Sequence, residues 1–177
     1  DAILGVDAQG RITDWNRRAE TVFGWSREQA LGMPIDTHII PERFRENHRR
    51  GMAGFLASGD PGMMKRRIEL SALRRDGAEF PIELVIVPEQ DGERWHFTCF
   101  ITDISDRKTT EASLLVLSRA VEQSPLSIVI TDPDGSIRYV NPKFEAVTGY
   151  SRAEAIGRNP KLLGSGDTPA EVYRNMW

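Results

Sequence analysis

The sequence is poor in cysteine and has no long apolar stretch. Its 177 residues include a single cysteine, Cys99, which excludes an intramolecular disulfide and a zinc site built from several thiolates. A lone thiol favours a reducing, cytoplasmic location. No apolar run approaches the roughly 20 residues that a membrane helix needs, so we expect no membrane contact from this stretch. With 40% apolar and 28% charged residues, the composition is that of a globular protein with a core.

A net positive charge and recognisable catalytic motifs are missing as well. The formal net charge is -3, and the only dense basic patch lies within residues 43–50. Nucleic-acid binding needs a concentrated basic surface, so we expect no nucleic-acid partner. The nucleophile elbow, the phosphate-binding loop, the zinc-protease motif and the nucleotide-binding glycine fingerprint are all missing. We therefore expect no enzymatic activity within this stretch.

The chain repeats itself with an offset of 125 residues. Residues 3–33 (the first repeat) align without a gap to residues 128–158 (the second repeat), and 12 of the 31 paired positions are identical. Self-similarity of this extent indicates two copies of one structural unit. Because 177 minus 125 leaves 52, we expect the second copy to be truncated.

Each repeat predicts a β-hairpin followed by two short helices. Aspartate opens and glycine closes each hairpin turn, at residues 7–10 and 132–135, as a type I turn closed by a left-handed residue requires. Ser26 and Ser151 each begin a Ser-x-x-Gln or Ser-x-x-Glu capping box, which predicts the start of the second helix. A glycine after each of these helices predicts its end.

The rest of the first copy predicts an α+β domain. Residues 41–58 have helical apolar spacing, and three candidate strands follow, at residues 66–73, 79–87 and 94–102. This order predicts an antiparallel sheet with helices on one face.

A further helix is predicted over residues 108–123. Leu114, Leu117 and Val121 are spaced by three and four residues there. This spacing is typical of a coiled-coil seam and of an amphipathic connector, and both interpretations stay open.

Several motifs of the chain resemble the PAS family of sensory domains. They are Asp7-x-x-Gly10, Asn16, Phe23-Gly24-Trp25, Gly32, Arg74-Arg75-Asp76-Gly77-x-x-Phe80-Pro81 and Asp103-Ile104-Ser105. Residues 132–160 resemble the start of a second PAS domain. The resemblance implies a five-stranded antiparallel sheet that cups a ligand and passes its state to the C-terminal helix. We expect PAS domains at residues 1–107 and 124–177, joined by a helical linker at 108–123.

His48 is the candidate ligand of the first copy. It lies four residues after Phe44 and four before Met52, so on a helix it faces along the apolar stripe. The FixL-type haem PAS domains resemble this stretch, with a proline seven residues before the histidine and the turn aspartate 28 residues after it. By this resemblance His48 would be the proximal haem iron ligand, and Leu84 and Ile86 would be apolar residues on the distal side.

The sequence departs from the haem family at one position. Ile68 stands where the family has its oxygen-contacting arginine, and we expect Met63 or Met64 to lie close enough to ligate the iron. In the alternative interpretation no haem binds, and a backbone carbonyl or a carboxylate satisfies His48. The arginines of residues 43–50 would meet haem propionates or form a solvated basic face. Neither of the other two histidines has metal-ligand spacing to His48.

The second copy excludes two cofactor chemistries and suggests a third. It contains no histidine, so His-ligated haem is excluded, and Pro160 stands where the flavin photosensors carry their reactive cysteine. Residues 165–177 resemble the FAD-binding redox sensors of the NifL and MmoS type, which implies that Trp177 lies beside the flavin. In the alternative interpretation Trp177 is a core residue.

The expected function is that of a sensory module. It would bind haem, FAD or another small ligand, sense a gas or redox state, and relay it through the linker helix. The output domain, a histidine kinase or a cyclic-di-GMP enzyme, would lie elsewhere in the full-length chain. We expect a homodimer formed through PAS surfaces and the linker helix. The alternative is a dimerisation module without any cofactor.

Overall fold

A computed structural model of the chain describes residues 1–59, 64–92 and 94–164. The chain divides into two compact units, Asp1–Thr109 and Thr110–Trp177. Within the described segments, no helix is both long and apolar enough to cross a membrane.

The first unit combines five strands with four helices, and a fifth helix follows the last strand. In chain order the elements are β1 (Ala2–Asp7), β2 (Ile12–Trp15), α1 (Arg17–Phe23), α2 (Arg27–Ala30), α3 (Ile35–His38), α4 (Glu42–Ser58), β3 (Ile68–Leu73), β4 (Glu79–Asp91), β5 (Arg94–Asp103) and α5 (Ser105–Glu122). Helix α5 begins in the first unit and continues into the second.

The five strands form one antiparallel sheet in the order β2-β1-β5-β4-β3. Alternate side chains point to opposite faces, and one face, here called the inner face, carries the core. Leu4, Phe97 and Ile101 of this face are buried together with Phe23 of α1 and Phe55 of α4. The helices therefore cover one face of the sheet. The expected α+β class with a five-stranded antiparallel sheet is confirmed.

Some boundaries differ from those that the sequence predicts. Strand β4 runs to Asp91, beyond the predicted end at 87, because its pairing with β5 continues to Arg94. Helix α5 begins at Ser105, three residues earlier than predicted, because the Ser105 N–H donates to Asp103 Oδ1 at 2.9 Å. On α4, the apolar spacing also predicts a buried Leu56, but this side chain is 37% exposed and lies off the buried side of the helix.

The second unit contains a hairpin, two helices and a short 3-10 helix. They are β6 (Val129–Thr131), β7 (Ile137–Val140), α6 (Pro142–Thr148), α7 (Arg152–Ala155) and a 3-10 helix at Pro160–Leu163. Strands β6 and β7 pair antiparallel. The core of this unit is formed by Ile137, Val140, Phe144 and Ala155.

The capping predictions for the two repeats are confirmed. Ser26 and Ser151 each accept a hydrogen bond from the third helical residue, and the side chain of that residue returns to the cap N–H. Gly32 and Gly157, which follow these helices, have φ of 80° and 78°, a left-handed conformation that favours glycine, and Gly24 and Gly149 end the preceding helices in the same conformation.

Candidate functional site

Helix α4 turns the face that carries His48 toward the sheet. Phe55, on the same helix, is buried, and its ring lies 4.8 Å from the Trp95 ring and 5.4 Å from the Phe97 ring of β5, in edge-to-face geometry. His48 precedes Phe55 by seven residues, which is about two helical turns, so both side chains leave the helix on one face. Because Phe55 packs against the sheet, His48 on the same helix face is directed toward the sheet, as its spacing predicts.

The His48 ring has a buried nitrogen without a hydrogen-bond partner. The side chain is half-buried, and Nδ1 is inaccessible to solvent and unpartnered among the described residues. Burial lowers the pKa of His48; nearby Asp36 opposes this shift and Arg49 adds to it. Burial therefore favours the neutral imidazole, the form that ligates metals. No carbonyl or carboxylate of the described residues bonds to Nδ1, and the alternative interpretation, in which no haem binds, stays a prediction.

Trp25 carries the other buried side-chain nitrogen that lacks a partner in the described segments. Its ring packs edge-to-face with His38, with ring centroids 5.7 Å apart, and the guanidinium of Arg75 lies 5.2 Å from its centroid. An indole nitrogen carries a proton and only donates, so it cannot bind a metal. Of the two unpartnered nitrogens, the one on His48 is the candidate ligand.

The inner face of the sheet is incompletely covered along its β3 edge. Ile68 of β3 pairs with Leu84 of β4, and both are half-buried, whereas Ile82 further along β4 is 4% exposed. Leu70 pairs with Ile82 on the same face and is 40% exposed. An apolar surface therefore remains open on the side of the sheet that the helices cover.

Most of the predicted apolar site residues come together at this edge. Met64, Leu84 and Ile86 all pack against the margin of the core. The Lys65 N–H donates to the Ile86 carbonyl at 2.9 Å, which holds Met64 beside the end of the apolar row. Met63 and Trp177, also predicted as site residues, lie outside the described residues.

Leu70 is a residue of this surface that the sequence analysis did not select. The alternation of Ile68, Leu70 and Ala72 along β3 is the signal that would have found it, because residues two apart share one face of a strand.

The site contains no ionised thiol. Cys99 is buried on β5, and burial raises the pKa of its thiol to about 12. Among the described residues, no three His, Cys, Asp or Glu side chains are grouped so as to hold a metal ion. His48 is therefore the candidate iron ligand only in combination with a prosthetic group that completes the coordination.

The arginines near His48 are engaged within the protein. Arg43 pairs with Glu79, and the Arg43 guanidinium lowers the pKa of Glu79 to about 2. Arg49 pairs with Asp36 at 2.7 Å. Arg45 donates to two backbone carbonyls, and Arg50 contacts Glu46 at 3.8 Å. The side chains of Arg43, Arg49 and Arg50 nevertheless remain 57%, 57% and 70% exposed, so the predicted basic patch faces solvent while it pairs with nearby carboxylates.

Arg74 connects the sheet to the start of α5. Its guanidinium donates to the Val22 carbonyl at the end of α1, lies 3.7 Å from the centroid of the Phe80 ring, and contacts Asp103 Oδ2 at 2.6 Å. The other carboxylate oxygen of Asp103 accepts from the backbone and hydroxyl of Ser105. Burial opposes ionisation of Asp103, but these hydrogen bonds outweigh it, and its pKa lies below the usual value. The end of β5 is therefore tied to both α1 and α5.

Comparison with protein families identifies the fold. A family model described as the PAS fold matches residues 1–104 and 116–177. The chain belongs to the PAS family. As a PAS protein it carries the sensory fold that its sequence motifs resemble, and its five-stranded antiparallel sheet and covering helices agree with that assignment.

PAS-containing relatives of this chain include named sensors. Sensor protein FixL of Bradyrhizobium diazoefficiens is 30% identical over 168 residues, which is 94% of this chain and 32% of that protein. Oxygen sensor protein DosP of Escherichia coli is 23% identical over 167 residues, 94% of this chain and 21% of that protein. The nitrogen fixation regulatory protein of Klebsiella pneumoniae is 47% identical over 57 residues, 32% of this chain and 12% of that protein. The chain thus spans a third or less of these relatives' length.

Proposed function

We propose that the first unit is a haem-binding PAS sensor in which His48 is the proximal iron ligand. The observation that supports this most is the buried, unpartnered Nδ1 of a neutral imidazole that faces the sheet. Leaving a buried polar atom unsatisfied costs about 1–3 kcal/mol, and a ligand that used the lone pair would remove that cost. Bound haem would supply an iron centre that responds to a diatomic gas or to redox state.

The opposite wall of the proposed haem site would be apolar. Ile68, Leu84 and Ile86 offer hydrocarbon, and Ile68 provides no hydrogen-bond donor where haem oxygen sensors have an arginine. Arg67 does not substitute for that arginine, because it pairs with Glu83 at 3.2 Å on the other face of the sheet. The thioether of Met64 or Met63 would be the second protein ligand. Selectivity would therefore depend on packing and on the sixth ligand, not on a hydrogen bond to the gas.

The signal would leave the first unit through the Arg74–Asp103 pair and α5. We propose the sequence boundaries as domains: a first PAS domain at residues 1–107, a helical linker at 108–123 and the beginning of a second PAS domain at 124–177. The full-length, cytoplasmic protein would carry a histidine kinase or a cyclic-di-GMP enzyme as its output domain. The similarity to proteins named FixL and DosP supports a sensor of this kind.

Helix α5 supports a homodimer and, with it, the second candidate function, a dimerisation module without cofactor. Leu114 and Leu117 are 62% and 63% exposed, and the two apolar residues between them are also exposed. A seam of this kind would pair with a second copy of the chain. Substituting both leucines by glutamate is expected to abolish association in analytical ultracentrifugation. Unchanged association would make α5 a spacer.

For the second PAS copy we propose FAD. The support is the resemblance of its C-terminal stretch to FAD-binding redox sensors. Trp177 would be the aromatic residue beside the flavin. A flavin absorption band in the purified protein, lost in Trp177→Ala, is the expected result. A colourless protein after FAD supplementation would exclude this assignment.

The haem proposal is tested by adding haemin to the full 177-residue apoprotein. We expect a stoichiometric Soret band in the wild type that His48→Ala abolishes or shifts. His96→Ala is the matched control, because His96 is exposed on β5, and it should leave the band unchanged. Equal spectra for both variants, or no band in the wild type, would leave the dimerisation module as the function.

A further inference from the structure

The first turn of α5 faces two glutamates that lie directly opposite each other in the sheet. Glu69 of β3 and Glu83 of β4 are register partners, and like charges in this position repel each other. The pair adjoins Ile68 and Leu84, which are also register partners. Because neighbouring residues of a strand point to opposite faces, the glutamates occupy the outer face directly behind the apolar surface of the proposed haem site.

Three cations surround this glutamate pair, and two of them belong to the helix. Arg107 Nη2 lies 2.9 Å from Glu69 Oε1 and 3.9 Å from Glu83 Oε2. Lys108 Nζ lies 2.6 Å from Glu69 Oε2. Arg67, just before β3, contacts Glu83 Oε1 at 3.2 Å. The carboxylates of two adjacent strands are thus neutralised largely by the start of α5.

The two helix cations are at a position that does not favour the helix itself. Arg107 and Lys108 are the third and fourth residues of α5. The N-terminal turn of a helix carries partial positive charge, so cations there are unfavourable and anions favourable. Hydrogen bonds from Lys108 and Arg107 hold the pKa of Glu69 below its usual value. The contacts with the glutamates account for cations at this end of the helix.

We propose that Glu69 and Glu83 form an electrostatic latch that holds the first turn of α5 against β3 and β4. This inference deepens the proposed function and rests on it for the trigger: a ligand that displaces Ile68 and Leu84 also changes the spacing of the two carboxylates behind them. A movement of Ile68 and Leu84 on the inner face would thus strengthen or weaken the attachment of α5 to the outer face.

The latch is tested by amide hydrogen exchange on the full chain without ligand. The reporter amides are those of residues 109–112, because their hydrogen-bond acceptors are the carbonyls of the first turn. In R107E/K108E the helix gains favourable charges at its N-terminus but loses the latch. We expect exchange at 109–112 to become faster by roughly threefold to tenfold, the range that two partly exposed ion pairs support. Charge reversal on the strands, E69K/E83K in the same variant, should restore protection.

The matched control is R17E/R18E, which makes the same change in the first turn of α1. No ion pair of Arg17 or Arg18 is found within the described part of the chain, so this variant should protect α1 more, not less. Unchanged or slower exchange at 109–112 in R107E/K108E overturns the latch, and so does failure of E69K/E83K to restore protection. Salt provides a second readout, because roughly 1 M NaCl shortens the screening length to about 3 Å and should mimic R107E/K108E.

The trigger is tested separately with haemin. If haemin binds through His48, the wild type should change its exchange at 109–112 on loading, and R107E/K108E should not. A wild type that binds haemin with no change at these residues overturns the trigger. Absence of any His48-dependent Soret band contradicts the proposed function, whereas the latch itself is decided by the ligand-free experiment.

Discussion

The two repeats have closely similar backbones and differently filled cores. In both, an asparagine caps the first helix and accepts from a backbone N–H of the first strand or next to it: the Ile3 N–H lies 3.0 Å from Asn16 Oδ1, and the Ile128 N–H, just before β6, lies 2.9 Å from Asn141 Oδ1. In the first repeat the helix contributes Ala19 and Phe23 to the core. The equivalent residues of the second repeat are Phe144 and Thr148, so the large side chain has moved by one helical turn.

The two repeats show which features depend only on local sequence and which depend on the rest of the sheet. Turns and caps need only the residues of the repeat, and they form in both units. Phe23 packs on Phe80 of β4, with ring centroids 5.6 Å apart, whereas the described sheet of the second unit consists of β6 and β7. Val22 is 6% exposed, but its equivalent Val147 is 63% exposed. Turns and caps are therefore local features of each repeat, whereas the burial of α1 depends on β4, which comes later in the first unit.

The largest expected effect is that of removing the aromatic ring from the first repeat. Phe23 is wholly buried against Trp15 and Phe80, so Phe23→Ala should lower the free energy of unfolding of the first unit by about 3–5 kcal/mol. The matched variant Thr148→Ala should cost the second unit about 1 kcal/mol. Urea denaturation, assigned to each unit by hydrogen exchange, measures both. Equal losses would show that the two cores do not differ in this way.

For the asparagine caps we expect the larger loss of stability in the second unit. Asn141 is wholly buried and uses both lone pairs and both protons, with acceptors at Val121 and Leu126 and donors at Ile128 and Phe144. Asn141→Ala should cost about 2–3 kcal/mol, and Asn16→Ala, at a less buried site, about 1–2 kcal/mol. Local exchange at the first strand of each repeat provides the measurement. A larger loss for Asn16→Ala would contradict the difference in burial.

The acid sensitivity of the two units should differ because the second contains no histidine. The pKa of His48 is lowered in the folded state by burial, so the unfolded state binds its proton more readily. Titration of His48 therefore leaves the stability unchanged above about pH 6.5 and lowers it as pH falls from there through the folded pKa. His48→Leu should flatten this slope in the first unit, as measured by urea midpoints between neutral pH and about pH 5, above the range where carboxylates titrate. An unchanged slope would assign the effect to other groups.

The smallest expected effect concerns the glycines that end the first helix of each repeat. Gly24 and Gly149 are both left-handed, so alanine should cost about 1 kcal/mol at either position. A Cβ at Gly24 would lie 3.4 Å from the Arg75 Cβ, whereas at Gly149 it would meet nothing within 4 Å. Gly24→Ala should therefore be worse by a few tenths of a kcal/mol. A larger loss of stability for Gly149→Ala than for Gly24→Ala would contradict this expectation.

The elements of the fold could be predicted from the sequence because their signals are short-range. Hairpin turns, capping boxes and the spacing of α4 involve residues one to four apart, and the structure confirms them. The direction of His48 followed from the same helical period. The order of strands and helices predicted an antiparallel sheet, and the family resemblance implied that it has five strands.

The contacts that organise the site could not be predicted in the same way. Arg74 reaches across 52 residues to Val22 and across 29 to Asp103, and Arg107 reaches across 38 to Glu69. These pairs form because the tertiary fold brings distant residues together. The local sequence around each residue does not indicate which partner will lie opposite it. The unpartnered state of His48 Nδ1 is likewise a property of every group around it.

The central claim is that His48 serves to bind a ligand and does not stabilise the ligand-free fold. Urea unfolding with and without haemin tests this claim most directly. Urea midpoints would be compared for wild type and His48→Leu. The account predicts that the ligand-free leucine variant is at least as stable as the wild type, because it removes an unsatisfied buried nitrogen. Haemin should then stabilise the wild type alone. A leucine variant that loses about 1 kcal/mol or more without ligand, together with no haemin effect on the wild type, would contradict the account.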